Sequence, residues 1–225
     1  MTTPHERRVR TGSSHAQLSH WTINGGDGSA ASVGLCGFAS ATVTLSVVLA
    51  RWFPHTTVLY AVVPLLVTGG IASAIGSLWS YRSRVTFFAI LCGFFSAVSV
   101  VDALAVVLTP TGFVTGQGGG TGILAIVFIC IALIDVILLL HALRINKVLV
   151  GMLGCLSLAH ALLGTGDALA GAWNLIGAGG WAGIGAALLA FYTAAALQIN
   201  SASGRPILPL GRPLIKARRR LKLLD

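Results

Sequence analysis

Six long apolar runs dominate this chain, and they leave few options for how it can fold. A bilayer core of ~30 Å is crossed by ~20 residues of helix. The runs are Val33–Leu49, Val58–Leu78, Val85–Leu108, Gly122–Leu143, Val148–Leu169 and Gly180–Leu197. Arg51 and Trp52 close the first; Trp79, Tyr81 and Arg82 close the second; Thr109-Pro110 close the third; and Arg144 closes the fourth. Trp181 opens the sixth, and Trp79 and Trp181 suit interfacial anchors. Backbone polar groups in lipid must be satisfied within the segment, so the expected class is all-α.

Composition agrees with this reading. Of the 225 residues, 55% are hydrophobic and 9% charged. A soluble domain carries about a quarter charged residues, so a water-facing surface could not be covered here. The net charge of +9 comes from basic residues in the short segments between runs, which argues against nucleic acid. In a six-span arrangement, 14 of the 15 basic residues fall on one side: Arg7, Arg8 and Arg10; Arg82 and Arg84; Arg144 and Lys147; and seven from Arg205 to Lys222. Arg51 alone falls on the other. The positive-inside rule then puts both termini in the cytoplasm, for a multi-pass protein of the inner (plasma) membrane.

The expected organisation is a disordered basic cytoplasmic arm (1–31), a six-helix transmembrane domain (32–200) and a basic cytoplasmic tail (201–225). The arm is polar, without the early apolar stretch of a signal peptide. The tail, with five basic residues in Lys216–Lys222, is expected to rest on the anionic inner leaflet. Gly112–Gly122 reads as a flexible outer turn and lacks the Lys-Ser/Thr of a phosphate loop. Cys36, Cys92, Cys130 and Cys155 lie inside apolar runs without Cys-x-x-Cys spacing and read as packing residues. No metal site, cofactor or enzymatic constellation is expected. Gly179/Gly183 and the small residues of the second and sixth runs suit close helix contacts.

Two segments carry a family pattern: Val33-Gly34-Leu35-Cys36-Gly37-Phe38 and Gly204-Arg205-Pro206-Ile207-Leu208-Pro209-Leu210-Gly211. With six spans, the chain resembles the acetate uptake transporter family, also called the succinate–acetate permease family, as a divergent bacterial member. The resemblance runs from about Ser29 to Gly211. Its Asn-Pro-Ala-Pro-Leu-Gly-Leu signature is replaced here by Ser29-Ala30-Ala31-Ser32-Val33-Gly34-Leu35. The family's Gln, Glu and Asn positions hold Ser73, Ser80 and Asp167. The resemblance implies a small-monocarboxylate transporter or channel, homohexameric, with one pore per subunit. It places a hydrophobic constriction at Phe38, Phe95 and Leu156, with Gly34, Leu35 and Ser73 on the substrate pathway.

A weak repeat, Leu35-Cys36-Gly37-Phe38, Leu91-Cys92-Gly93-Phe94 and the looser Leu153-Gly154-Cys155-Leu156, suggests helices one, three and five around one axis. At ~100° per residue, positions four, seven or eleven apart share a face. Thr42 then follows Phe38, Ser99 and Asp102 follow Phe95, and His160 and Asp167 follow Leu156. At 1.5 Å per residue, His160 lies ~6 Å, Asp102 ~10 Å and Asp167 ~16 Å outside the constriction. Asp102, Asp167 and His160 therefore share an outer vestibule, and ionisable groups within a span are costly enough to mark function. Asp135 is expected outside these stripes, in a helix or subunit contact or as a further proton site. His141 is poorly placed to partner it within the helix.

Two ionised carboxylates would repel acetate. Protonation, or pairing with His160, removes the repulsion and predicts proton-coupled uptake. The alternative is a channel for a small neutral or cationic solute such as an amide, urea or ammonium. A third reading, a non-transporting membrane protein acting through its arm or tail, stays open.

Overall fold

The computed structural model describes residues 27–108, 120–169 and 172–215. Residues 1–26 of the arm, the glycines between 112 and 119, and the basic run 216–222 lie outside them. Six helices are long and apolar enough to cross a membrane. They are α1 (Asp27–Leu49), α2 (Thr56–Arg82), α3 (Thr86–Leu108), α4 (Gly120–Ala142), α5 (Lys147–Ala168) and α6 (Trp173–Ser203). No strand occurs among the described residues.

Two ends differ from the sequence expectation. α1 already begins at Asp27, inside the segment expected to be an arm. α6 begins at Trp173, so Trp181 lies within the helix rather than at its start. The Gly-rich stretch before Trp181 reads as a breaker in water. Here it is helical because the glycines let α6 meet α1: a Cβ on Gly180 would strike the backbone of Ala50, Leu49 and Ser46. Trp181 still packs edge-on against Trp52, ring centroids 5.3 Å apart, beside the end of α1.

α2 is irregular for a local reason. Pro64 has no N–H to donate, and the chain changes pitch around it. A tight 3₁₀ segment (His55–Ala61) precedes it, wide π turns (Leu65–Ala72) follow, and a regular α-helix (Ser73–Arg82) completes the span. Side chains accompany the widened turns: Thr68 Oγ1 donates to Pro64 O at 2.7 Å, and Ser96 Oγ donates to Gly70 O at 2.8 Å.

α1 packs on α6 and α2, α3 on α2, α6 on α5, and α5 on α4. A core joins Leu35 and Phe38 of α1, Leu91 and Phe95 of α3, Leu153 and Leu156 of α5, and Ala186 and Ala190 of α6. The outward faces carry Val63, Ile71, Ile126, Leu133, Ile137 and Leu188 exposed, a surface suited to lipid.

The described basic residues except Arg51 gather at one end. Phe87, just after the Arg82–Arg84 turn, stacks on His141 at 5.1 Å near the Arg144–Lys147 turn. The segment after α6 returns to that turn: Leu214 N–H donates to Leu143 O, and Val148 N–H donates to Leu210 O. Gly204, at φ +62°, ends α6 and lets the chain reverse. Asn200 then fastens the returning strap, with Oδ1 accepting from the N–H groups of Ile207 and Leu208 and Nδ2 donating to Leu208 O. Tyr192 Oη adds a bond to Pro209 O. Arg51, at the opposite end, sits 5.9 Å from the Trp173 ring centroid.

Candidate functional site

A cavity of about 580 Å³ opens from the Arg51 end into the bundle. Its floor is Phe38, Phe95 and Leu156, brought from α1, α3 and α5. All three are buried, and the Phe38 and Phe95 rings stack at 4.6 Å with planes 30° apart. The repeated tetrad would have set Phe94 opposite Phe38. The structure instead turns Phe95 inward and leaves Phe94 half-buried against its edge, so the repeat slips by one residue on α3. Leu35, Leu91 and Leu153, the first residue of each tetrad, are all fully buried.

Above the floor, the helical spacing places side chains as expected. Thr42, Ser99, Asp102, His160 and Asp167 all line the same cavity. Ser99 Oγ donates to Phe95 O at 2.9 Å, which turns its polarity back to its own helix. Thr56 and Trp173 complete the upper wall. The lining is not confined to odd-numbered helices. Leu65 of α2, Phe128 of α4, and Ile176 and Gly183 of α6 take part as well. α6 contributes because Gly179, Gly180 and Gly183 bring it close to α1 and α5.

Asp135 stands outside the cavity lining, in a contact between helices. It is fully buried, and its Oδ2 accepts a hydrogen bond from His160 Nδ1 at 2.7 Å. The contact is between helices, as one expectation held, but its partner belongs to the cavity wall, so Asp135 is joined to the site from behind. The turn 143–146 makes α4 and α5 antiparallel neighbours, and a carboxyl buried in an apolar helix finds its partner across that contact. The Phe128 ring lies nearly parallel to the imidazole, 6.1 Å away and 15° inclined. His141 faces Phe87 instead.

Gly34, Leu35 and Ser73 take no part in the cavity lining. They sit on the basic-end side of the floor, in closed helix contacts. Ser73 Oγ donates to Gly34 O at 3.0 Å, Gly34 meets Gly76 and Cys92, and Leu35 is fully buried. Without a Cβ, Gly34 lets α1 and α2 approach, and that approach shuts the inner half.

The electrostatics are one-sided. Among the described residues the lining holds Asp102 and Asp167, with Asp135 behind His160, and no Lys or Arg. Asp102 Oδ1 is buried without a hydrogen-bond partner among the described residues, as is Asp135 Oδ1. No group of three His, Cys, Asp or Glu side chains converges to hold a metal among the described residues. A cavity with this lining has room for a small solute against an apolar floor, with a few polar side chains that can hydrogen-bond it.

Comparison with known proteins bears on family and fold. The GPR1/FUN34/yaaH family model matches residues 24–205. The solved structure of the bacterial acetate channel SatP is similar in fold, with a TM-score of 0.71 at 24% identity, covering 81% of this chain and 98% of that one. No curated protein sequence matches significantly.

Proposed function

The chain belongs to the GPR1/FUN34/yaaH family, the acetate uptake transporter family its sequence resembles, and on that premise we propose that it is a membrane pathway for acetate-sized monocarboxylates. The observation that carries this reading is the cavity itself: it narrows onto the apolar floor Phe38/Phe95/Leu156, wide enough above for a small acid and closed below. The three floor residues form the constriction. Thr42, Ser99 and His160 line the approach, and Gly34, Leu35 and Ser73 stand on the inner half, where passage requires α1 and α2 to part. The basic end faces the cytoplasm and the Arg51 end faces outward, in the inner membrane of the cell. The subunits form a homohexamer with one pore each. The basic tail rests on the inner leaflet.

Asp102, Asp135, Asp167 and His160 are the proton sites. An acetate ion entering among ionised carboxylates is repelled, and protons taken up by these groups lift the repulsion. Transport is therefore coupled to acid on the outer side.

A second reading follows from the same lining. Carboxylates without a Lys or Arg also suit a neutral or cationic solute such as urea, an amide or ammonium. Purified protein in liposomes separates the two. Labelled acetate flux between about pH 5 and 8, rising as pH falls and altered by Leu156→Ala, supports the monocarboxylate pathway. Absence of acetate flux throughout, with urea or ammonium flux present, replaces it with the second reading.

A further inference from the structure

The two nitrogens of His160 have different surroundings. Nδ1 is engaged by Asp135 Oδ2 at 2.7 Å. A carboxylate facing Nδ1 makes that nitrogen the donor and leaves Nε2 for whatever the cavity holds. His160 is 6% exposed, it lines the cavity, and its Nε2 hydrogen-bonds no described residue. Asp135 itself is 0% exposed, so it reaches a permeating solute only through the imidazole. The Phe128 ring lies nearly parallel to the imidazole, 6.1 Å away. On α3, Asp102 lines the same cavity as His160, and its Oδ1 is buried and unpartnered among the described residues. A nitrogen of His160 and an oxygen of Asp102, on different helices that line one apolar-floored cavity, are thus left unused.

We infer that His160 Nε2 and Asp102 Oδ1 form a two-point clamp for the carboxylate of the substrate, with Asp135 as the positioning residue that holds His160. The inference rests on the monocarboxylate reading above. In the loaded clamp, the imidazolium Nε2–H donates to one carboxylate oxygen, and protonated Asp102 donates Oδ1–H to the other. Charge balances simply. The resting site holds Asp135⁻, His160⁺ and Asp102⁻. The loaded site holds Asp135⁻, His160⁺, neutral Asp102 and the bound anion. One proton enters with each anion, and the net charge of the site does not change. Asp167, on α5 nearer the mouth, is the remaining titratable group in the lining. α1, α2 and α6 add no titratable side chain to the described lining. When the clamp is deprotonated, it presents two acceptors in place of two donors, and carboxylates are rejected.

The test uses the full chain, labelled with ¹⁵N-histidine, in lipid nanodiscs, with acetate as the probe. His160→Gln identifies the His160 signals by their loss. Acetate is expected to shift Nε2 more than Nδ1 at acidic pH. Asp135→Asn is expected to weaken that response, to lower acetate flux roughly tenfold near neutral pH and to move the flux–pH curve to lower pH. Asp135→Glu should restore the curve in part. Unchanged His160 signals in the wild-type protein at saturating acetate overturn the clamp, as does an Asp135→Asn curve that superimposes on wild type. Wild-type acetate flux with a silent His160 rejects the clamp and leaves the monocarboxylate pathway standing. A responsive His160 without flux does the reverse. The wild-type spectrum decides even where a variant fails to fold.

Discussion

Phe38 and Phe95 stack face to face across 4.6 Å, from helices that are not sequence neighbours, and Leu156 completes the closure from a third. An apolar floor of this kind stops hydrated ions because nothing in it replaces their water.

Trimming the floor should open it. Leu156 is buried, and Leu156→Ala leaves a void where the third wall stood. Acetate flux is expected to rise severalfold, and propionate and butyrate should gain more than acetate. A stability loss of about 2–5 kcal/mol accompanies the change. Flux ratios across the three acids in liposomes measure the effect. An unchanged ratio would mean that selectivity is set elsewhere.

The helix contacts make a sharper structural prediction. A Cβ on Gly180 meets the α1 backbone, which cannot swing aside. Gly180→Ala should therefore force α6 from α1 and cost about 1–3 kcal/mol. Gly154 is different, since a Cβ there meets only Leu139 Cδ1 at 3.5 Å, an ordinary contact. Gly154→Ala should be neutral or gain up to about 1 kcal/mol from helix propensity. Thermal loss of the monodisperse size-exclusion peak compares the pair. Equal melting temperatures would refute the distinction.

These residues also show what was legible in the sequence. With Phe38, Phe95 and Leu156 taken from the family resemblance, helical pitch adds Thr42, Ser99, Asp102, His160 and Asp167, and all of them line one cavity. The pairing of Asp135 with His160 did not follow, because α4 is apolar nearly all round and offers no contrast from which to read a buried face. A signal was available nonetheless. Asp135 is the acid of α4, His160 is the histidine of α5, and a short turn joins the two helices. Consecutive helices so joined are antiparallel neighbours, and charges within spans seek each other. The start of α6 was missed for another reason. Local propensity counts glycine against a helix, whereas in lipid the contact with α1 decides.

The strap after α6 was not legible beyond its Gly-Arg-Pro pattern, since it depends on one side chain. Asn200 supplies both an acceptor and a donor to residues 207–208. Asn200→Ala should leave these backbone groups unpaired at about 1–3 kcal/mol and release the strap from the basic end. Limited proteolysis is expected to cut between Gly204 and Gly211 at least tenfold faster than in wild type. Cleavage at the wild-type rate would mean that Tyr192 and the Leu143 contacts suffice.

Asp102 offers the most direct test of how the cavity treats charge. Asp102 lines the cavity above the floor, and no Lys or Arg stands in the described lining to offset it. At ~6 Å and an effective dielectric of ~20, an ionised Asp102 repels acetate by about 3 kcal/mol. Protonation abolishes that term, and Asp102→Asn abolishes it permanently while retaining an N–H donor. The sign follows directly. At low pH, where wild-type Asp102 is already neutral, variant and wild type should conduct acetate alike. As pH rises and Asp102 ionises, wild-type flux falls, whereas the variant loses less. The ratio of variant to wild-type flux should thus grow with pH, to roughly tenfold or more at the alkaline end. A cation pathway gives the opposite sign, because Asp102→Asn then removes an attractive charge and ammonium flux drops at every pH where the carboxylate is ionised. Measuring acetate and ammonium on the same proteoliposomes makes the choice, since one substitution cannot raise both.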